Sequence, residues 1–404
     1  MSIPPVFSFY IPGEDGCIGP DSFLWQMPLS GKSSGFLKKG QGEKSVRGPV
    51  LTVGDYFTAA ETFLQKADGR MLFEAFSAMA GKGCGPIRAV DLFLEKHGAF
   101  YHPLRVKVVS ETGRSVSFVL NGAVSEPGLA LIEKEYQLLA GFEKRLSGVC
   151  TPRVFGAGVQ TLETRKPENL NLKKRTLGFF LGEWFEEFRE FHVSEAQGKR
   201  QIAVWESNGD VAHLSLERAQ VIYEQVAYIL TAHYNVHTGE QIFPWHHAAG
   251  DFVVNPLVKG LPVKLITVRG YQSLMEFDPA TDPKENVLPA LLFFFLNLTL
   301  RMRLDRLDGV GTPVFLEEPV LTATVHGFLR SLGDMSGQTS QASGSIKGLE
   351  NIFAAFLAGF SQEQLLGILV NLIQAWPPNA LEFSLAQAHL ASHSSALHSL
   401  FKNV

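Results

Sequence analysis

The chain has 404 residues, 45% hydrophobic and 19% charged, a globular composition long enough for one large two-lobed domain or two to three ordinary ones. A net charge of -4 argues against a nucleic-acid partner, and no basic block exceeds Lys173-Lys174-Arg175, which reads as a solvated loop. Cys17, Cys84 and Cys150 are far apart, odd in number and form no Cys-x-x-Cys pair, which suggests neither a disulfide framework nor a thiolate zinc site and fits a reducing compartment.

Residues 1–49 are rich in Gly, Pro, Ser and Lys and read as a loose leader. Met1 to Tyr10 has neither the basic start nor the long apolar core of a secretion signal, so a cytoplasmic protein is expected. A helix is predicted from Asp55, as its cap, to Lys66, with Tyr56, Ala59, Ala60 and Phe63 on one face. Two more are predicted over Arg70 to Ala80 and Ile87 to Lys96, the second ended by Gly98.

The period then changes. Leu104 to Val109 and Ser115 to Val124 read as strands joined by the turn Glu111-Thr112-Gly113-Arg114. A helix is predicted over Leu129 to Leu146, then strands over Thr151 to Gln160 and Thr176 to Glu183. Beyond Asp210 the chain turns helical, and Leu216 to Tyr234 carries the apolar face Ala219, Ile222, Tyr223, Val226, Ile229 and Leu230. The loop Trp245-His246-His247-Ala248-Ala249-Gly250-Asp251 leads into two apolar runs, Phe252 to Val254 and Val263 to Val268, which suit a small hairpin. Val287 to Leu300 is the most apolar run. It falls short of the roughly 20 residues of a bilayer span, so a buried helix is predicted and no membrane contact is expected. The remainder reads as helical, broken by a Ser/Gly/Gln loop from Ser331 to Gly348.

The order strand, strand, helix, strand, strand, then a helical region with a small hairpin, resembles the protein-kinase fold from about Tyr101 onward. The likeness is to its aminoglycoside-phosphotransferase branch. Gly250-Asp251-Phe252-Val253-Val254 is similar to the family's Gly-Asn-Ile-Leu-Val, and Leu265 to Gly270 resembles the stretch that holds Asp-Phe-Gly. The resemblance implies an α+β, two-lobed protein-kinase-like fold. Residues 1–97 would be a partly helical N-terminal extension, 98–190 a small antiparallel-sheet lobe and 191–404 a helical lobe.

Phosphoryl transfer is mainly positioning and charge neutralisation. In the family a third-strand Lys holds the phosphates and pairs with a Glu on the next helix. A loop Asp takes the acceptor proton, and an Asn and the Asp of Asp-Phe-Gly hold the metal. Laid on that pattern, Asn121 stands at the Lys position and Glu135, in preference to Glu133, at the helix Glu. His246 falls at the catalytic Asp, Asp251 at the metal-binding Asn and Thr267 at the Asp of Asp-Phe-Gly. His97-Gly98-Ala99-Phe100 is the nearest equivalent of a glycine-rich loop. Arg269 could contact phosphate in place of the Lys, or pair with a carboxylate such as Glu135. ATP with magnesium is the implied cofactor and Asp251 the implied metal ligand, but the substituted charges imply feeble or absent ATP hydrolysis.

Plainer roles stand beside these. Asp251 could be a turn residue bonded to its own backbone, and His246 a loop His on backbone carbonyls. His233 and His237 have the i, i+4 spacing of a zinc helix, or are core and surface histidines. Three functions follow. One is a kinase-fold protein that binds a small molecule or nucleotide between its lobes, as a pseudokinase or regulatory module. The second is an atypical phosphotransferase using His246 and Asp251. The third is a metal-dependent hydrolase built on His233, His237, His246 and Asp251.

Overall fold

Period-two burial organises the first of the two units into which the chain divides, Met1–Lys144 with Pro152–Glu186; the second is Arg145–Thr151 with Glu187–Val404. The computed structural model describes residues 4–29, 51–95, 100–145, 150–166, 169–205, 211–245, 247–276, 283–337 and 347–402.

The elements of the first unit are, in chain order, β1 (Val6–Tyr10), α1 (Val53–Leu64), α2 (Lys66–Ala80), β2 (Ile87–Leu94), β3 (Leu104–Ser110), β4 (Ser115–Ala123), α3 (Glu126–Arg145), β5 (Val154–Lys166) and β6 (Asn169–Glu183). The strands form one sheet in the order β1-β2-β3-β4-β6-β5. Every pairing is antiparallel except β1 with β2. The hairpin expected across Glu111 to Arg114 is present, with Gly113 supplying the positive φ of 82°.

Several expectations change here. Ile87 to Leu94 is a strand, not a helix. Ile87, Val90 and Leu94 fit a helical face, but Val90, Leu92 and Leu94 also fit one side of a strand, and those three are the fully buried ones. The stretch read as a loose leader contains β1, which lies in the sheet beside β2, so residues 1–97 supply sheet strands rather than a separate extension. The cap of α1 is Thr52: its hydroxyl accepts from the Asp55 N–H and the Asp55 carboxylate accepts from the Thr52 N–H, both at 3.0 Å, a capping box. The triplet Lys173-Lys174-Arg175 lies within β6 rather than in a loop.

One sheet face carries α1 and α2, whose Tyr56, Phe57, Phe63 and Phe76 pack with Leu92, Val106, Phe118 and Phe179. The other face carries α3. A Cβ at Gly178 of β6 would come within 2.9 Å of Ile132 and Leu129, so the missing side chain lets the helix settle onto the strand. Asn121 is paired with Phe180, two residues along β6 from Gly178, and therefore lies on the α3 face.

The second unit opens with three strands for which the sequence carries no clear signal, β7 (Phe191–Ala196), β8 (Lys199–Trp205) and β9 (Val211–Ser215), in an antiparallel sheet. There follow α4 (Leu216–Ala232), β10 (Glu240–Ile242), the single turn α5 (Ala248–Asp251), β11 (Phe252–Val254), β12 (Val263–Leu265), β13 (Tyr271–Ser273), α6 (Pro283–Met302), β14 (Leu304–Arg306), β15 (Pro313–Phe315), α7 (Glu318–Gly337), α8 (Leu349–Ala358), α9 (Gln362–Gln374) and α10 (Leu381–Lys402). The expected hairpin is β11 with β12, and its second strand stops at Leu265. The loop expected from Ser331 is helical through Gly337; residues 338–346 lie outside the described residues.

The helix α6 spans 20 residues, longer than the apolar run Val287 to Leu300 at its centre. Among the described residues it is long and apolar enough to cross a bilayer, as the α8–α9 pair would be if its 105° bend were ignored. Two-thirds of that stretch of α6 (67%) is buried inside the unit. Its Phe295 meets Phe328, Phe353 and Phe401 at ring-centroid distances of 4.7, 5.3 and 5.8 Å, which ties α6 to α7, α8 and α10.

The contact between α4 and α7 depends on Gly327, where a Cβ would lie 2.0 Å from the backbone oxygen of Glu224. Backbone cannot move aside as a side chain can, so Gly327→Ala is expected to lower stability by about 1–3 kcal/mol through overpacking. Urea unfolding of the full chain measures this, and a loss below about 0.5 kcal/mol, the range of ordinary surface changes, would contradict so tight a crossing.

Candidate functional site

The turn α5 ends at Asp251 and β11 begins at the next residue, so the carboxylate sits where the chain dives into the core, and Asp251 is 0% exposed. The hairpin returns through β12. The Ile266 N–H then donates to the Asp251 carbonyl oxygen at 2.9 Å, and the chain next delivers Arg269. Arg269 Nη1 donates to Asp251 Oδ1 at 2.6 Å, a charge-assisted bond to a fully enclosed carboxylate. Of the two partners weighed for Arg269, it has the nearby carboxylate, and that carboxylate is Asp251 rather than Glu135.

A second charged group comes from β14, directly after the apolar α6. Asp305 is 3% exposed. Its Oδ2 accepts from the Val193 N–H of β7 at 3.1 Å and its Oδ1 from the Arg306 N–H at 2.7 Å. Burial pushes this carboxyl up to about 7, against the smaller opposing pull of those two N–H groups. Arg306 gives Nε and Nη2 to Glu382 Oε1 of α10 at 3.0 and 2.6 Å. His247 Nε2 lies 3.9 Å from the same oxygen. Burial raises the Glu382 carboxyl, but backbone N–H donation and Arg306 together outweigh it and hold the group below its usual range. The β14–β15 turn contains Asp308 and Gly309 at φ 51° and 76°. A Cβ at Gly309 would stand 2.8 Å from the His192 ring, so the glycine also makes room for that imidazole.

These groups surround one cavity of about 300 Å³, lined by His192, His247, Asp251, Arg269, Asp305 and Arg306 together with glycine backbone. Asp251 and Arg269 were expected at a site. His192, Asp305 and Arg306 were not. The signal for the last two was the abrupt change from the apolar run to Arg301-Met302-Arg303-Leu304-Asp305-Arg306, alternating charged and apolar residues.

The other expected positions are distributed as follows. Asn121 on β4 and Glu135, buried on α3, belong to the first unit and share the sheet face that α3 covers. Thr267 lies in the second unit, between β12 and Arg269. His246 lies outside the described residues, as does His97-Gly98-Ala99 of the loop equivalent. His233 and His237 do not share a helix face, because α4 ends at Ala232. His233 is the C-cap, its Nδ1 2.8 Å from the Ile229 oxygen, and His237 is exposed in the loop beyond. Among the described residues no group of three or more His, Cys, Asp or Glu side chains could hold a metal ion.

Neither a scan against protein-family models nor a search of curated proteins finds a match to this chain. Its chemistry therefore rests on its own residues. They do not fit magnesium with ATP: the one carboxylate at the expected metal position is already ion-paired, and Thr267 and Asn121 are neutral where the pattern needs an acid and a cation.

Proposed function

We propose that the chain is a two-lobed, kinase-like ligand-binding protein of the pseudokinase or regulatory kind, cytoplasmic, which does not transfer phosphate. The Asp251–Arg269 ion pair carries this reading. Where the resemblance puts a metal ligand, a guanidinium attached to the chain itself neutralises the carboxylate at 2.6 Å. A divalent ion would have to displace Arg269 and would then find one protein carboxylate, too few oxygens for tight binding. The family reading draws further support from the antiparallel run β2–β3–β4, the helix α3 inserted after it, the strands β5 and β6 beyond, and the β11–β12 hairpin directly after Asp251.

Thermal unfolding with ATP or ADP, in EDTA and in excess magnesium or manganese, tests this alongside an assay of ADP release. Stabilisation by nucleotide, where it occurs, is expected to be the same with and without metal, and turnover not to exceed the buffer rate. Magnesium-dependent ATP hydrolysis that Asp251→Ala abolishes would sink the reading and favour an atypical phosphotransferase using His246 and Asp251.

A further inference from the structure

We infer that the cavity of the second unit binds a phosphate group, as inorganic phosphate or as the end of a small phosphomonoester, directly on Arg306 and Arg269 and without a metal ion. The inference uses the cavity's own side chains and does not depend on the kinase resemblance.

Each guanidinium is held from one side by a carboxylate and keeps further donors. Glu382 takes Nε and Nη2 of Arg306, which leaves Nη1. Asp251 takes Nη1 of Arg269, which leaves Nε and Nη2. Arg306 lines the cavity and Glu382 does not, so the counter-charge of Arg306 stands behind it rather than across the space a ligand would fill. A guanidinium fixed in this way has already lost most of its rotamer freedom, so binding an oxyanion costs less ordering. Its planar fork matches phosphate oxygens in a way that an ammonium does not.

Each guanidinium–carboxylate pair is neutral as a whole, so the attraction for an anion comes from the guanidinium N–H groups left over rather than from a net positive charge. Asp251 is enclosed and spent on Arg269. Asp305 is driven by burial to a value of about 7, so near neutral pH much of its negative charge is absent. His192 and His247 add two imidazoles to the same wall. The cavity's 300 Å³ or so stands at the small end of ligand pockets, room for a phosphate with a short organic group.

Calorimetric titration of the full chain with sodium phosphate, and separately with glycerol 3-phosphate, tests the inference. Both titrations are run in EDTA and repeated with magnesium, with sodium chloride of matched ionic strength as the blank. Saturable binding at one site per chain is expected, unchanged by magnesium. Tighter binding of the ester would identify an organic phosphate as the natural source, and tighter binding of inorganic phosphate the free ion. Arg306→Lys keeps the charge and the Glu382 partner but removes the fork, and is expected to weaken binding by about tenfold, the equivalent of one good hydrogen bond. Arg269→Lys should do the same from the other wall, and an unchanged circular-dichroism spectrum at the titration temperature would locate both losses at the site. No saturable heat with either probe at concentrations up to about 10 mM would overturn the inference, as would binding that needs magnesium or survives both lysine substitutions. Magnesium-dependent ATP turnover would overturn the pseudokinase reading and leave phosphate binding untouched, so the two fail separately.

Discussion

Arg269→Ala is expected to cost about 3 kcal/mol of stability, at the lower end of the range for breaking a buried ion pair. The reason is the asymmetry of the pair. Asp251 is 0% exposed, while a quarter (25%) of the Arg269 side chain reaches solvent. Removing the arginine leaves an enclosed carboxylate without its guanidinium, which is costly because water cannot readily take the guanidinium's place. Removing the aspartate instead leaves a cation that can turn outward. Asp251→Asn should therefore cost less than Arg269→Ala, and the double variant should be more stable than Arg269→Ala alone. A double-mutant cycle by urea unfolding measures the coupling, expected at about 1.5–3 kcal/mol for groups in direct contact. Strict additivity would mean that the 2.6 Å contact contributes nothing, so that Arg269 would not keep a metal ion from Asp251.

The same pair marks how far the site was legible in the sequence. The segment Gly250-Asp251-Phe252 signals a turn entering a strand, and the spacing predicts the hairpin that follows it, so the sequence alone places Asp251. Its partner could not be fixed. Arg269 lies eighteen positions on, and whether it reaches back depends on the register Phe252 with Leu265, which local pattern does not set. Asp305 and Arg306 were invisible as site residues for a related reason. They lie on the three-residue strand β14, and what joins them to the cavity is distant in sequence, Val193 on one side and Glu382 on the other.

The fold divides along similar lines. Strands with clean alternation and a glycine turn, β3 and β4, were legible, as was the apolar face of α4. Ile87 to Leu94 was misread because its apolar residues satisfy both helical and strand spacing, and only the neighbours β1 and β3 decide between them. The sheet β7–β9 was missed because His192, Ser194, Glu195, Arg200 and Gln201 give its strands a polar look. Their buried residues, Phe191 and Val193 on β7, Ile202, Ala203 and Val204 on β8 and Leu214 on β9, are too few in each run to stand out.

Asp305→Asn is expected to change the pH dependence of stability rather than simply lower it. The native carboxyl is raised to about 7 from an ordinary value near 4, so the folded state holds its proton more tightly than the unfolded chain does. The stability this supplies is complete below about pH 4 and is lost as pH rises through about 7, which amounts to a fall of about 2–3 kcal/mol between pH 5 and 8. His393 works in the opposite sense. It is fully enclosed, with Nε2 3.2 Å from Thr299 Oγ1 and Nδ1 3.2 Å from Arg303 Nη1. Burial, helped by the Arg303 charge, drives it down to about 3. Folding therefore favours its neutral form, with stability complete above about pH 6.5 and lost as pH falls toward 3, a gain of about 2 kcal/mol from pH 5 to 8. In the wild type these two groups nearly cancel over that range. In Asp305→Asn only the His393 slope remains, so stability should climb by about 2 kcal/mol from pH 5 to 8. Both oxygens of the carboxyl accept, from Val193 and Arg306, and can do so even when one carries the proton, whereas the amide has one acceptor oxygen, so the variant gives up a hydrogen bond worth about 1 kcal/mol. It should thus be the less stable protein at pH 5 and the more stable one at pH 8. Urea unfolding of both proteins at pH 5, 6, 7 and 8 measures the difference, and parallel profiles would show that Asp305 is ionised throughout and that its burial does not raise it.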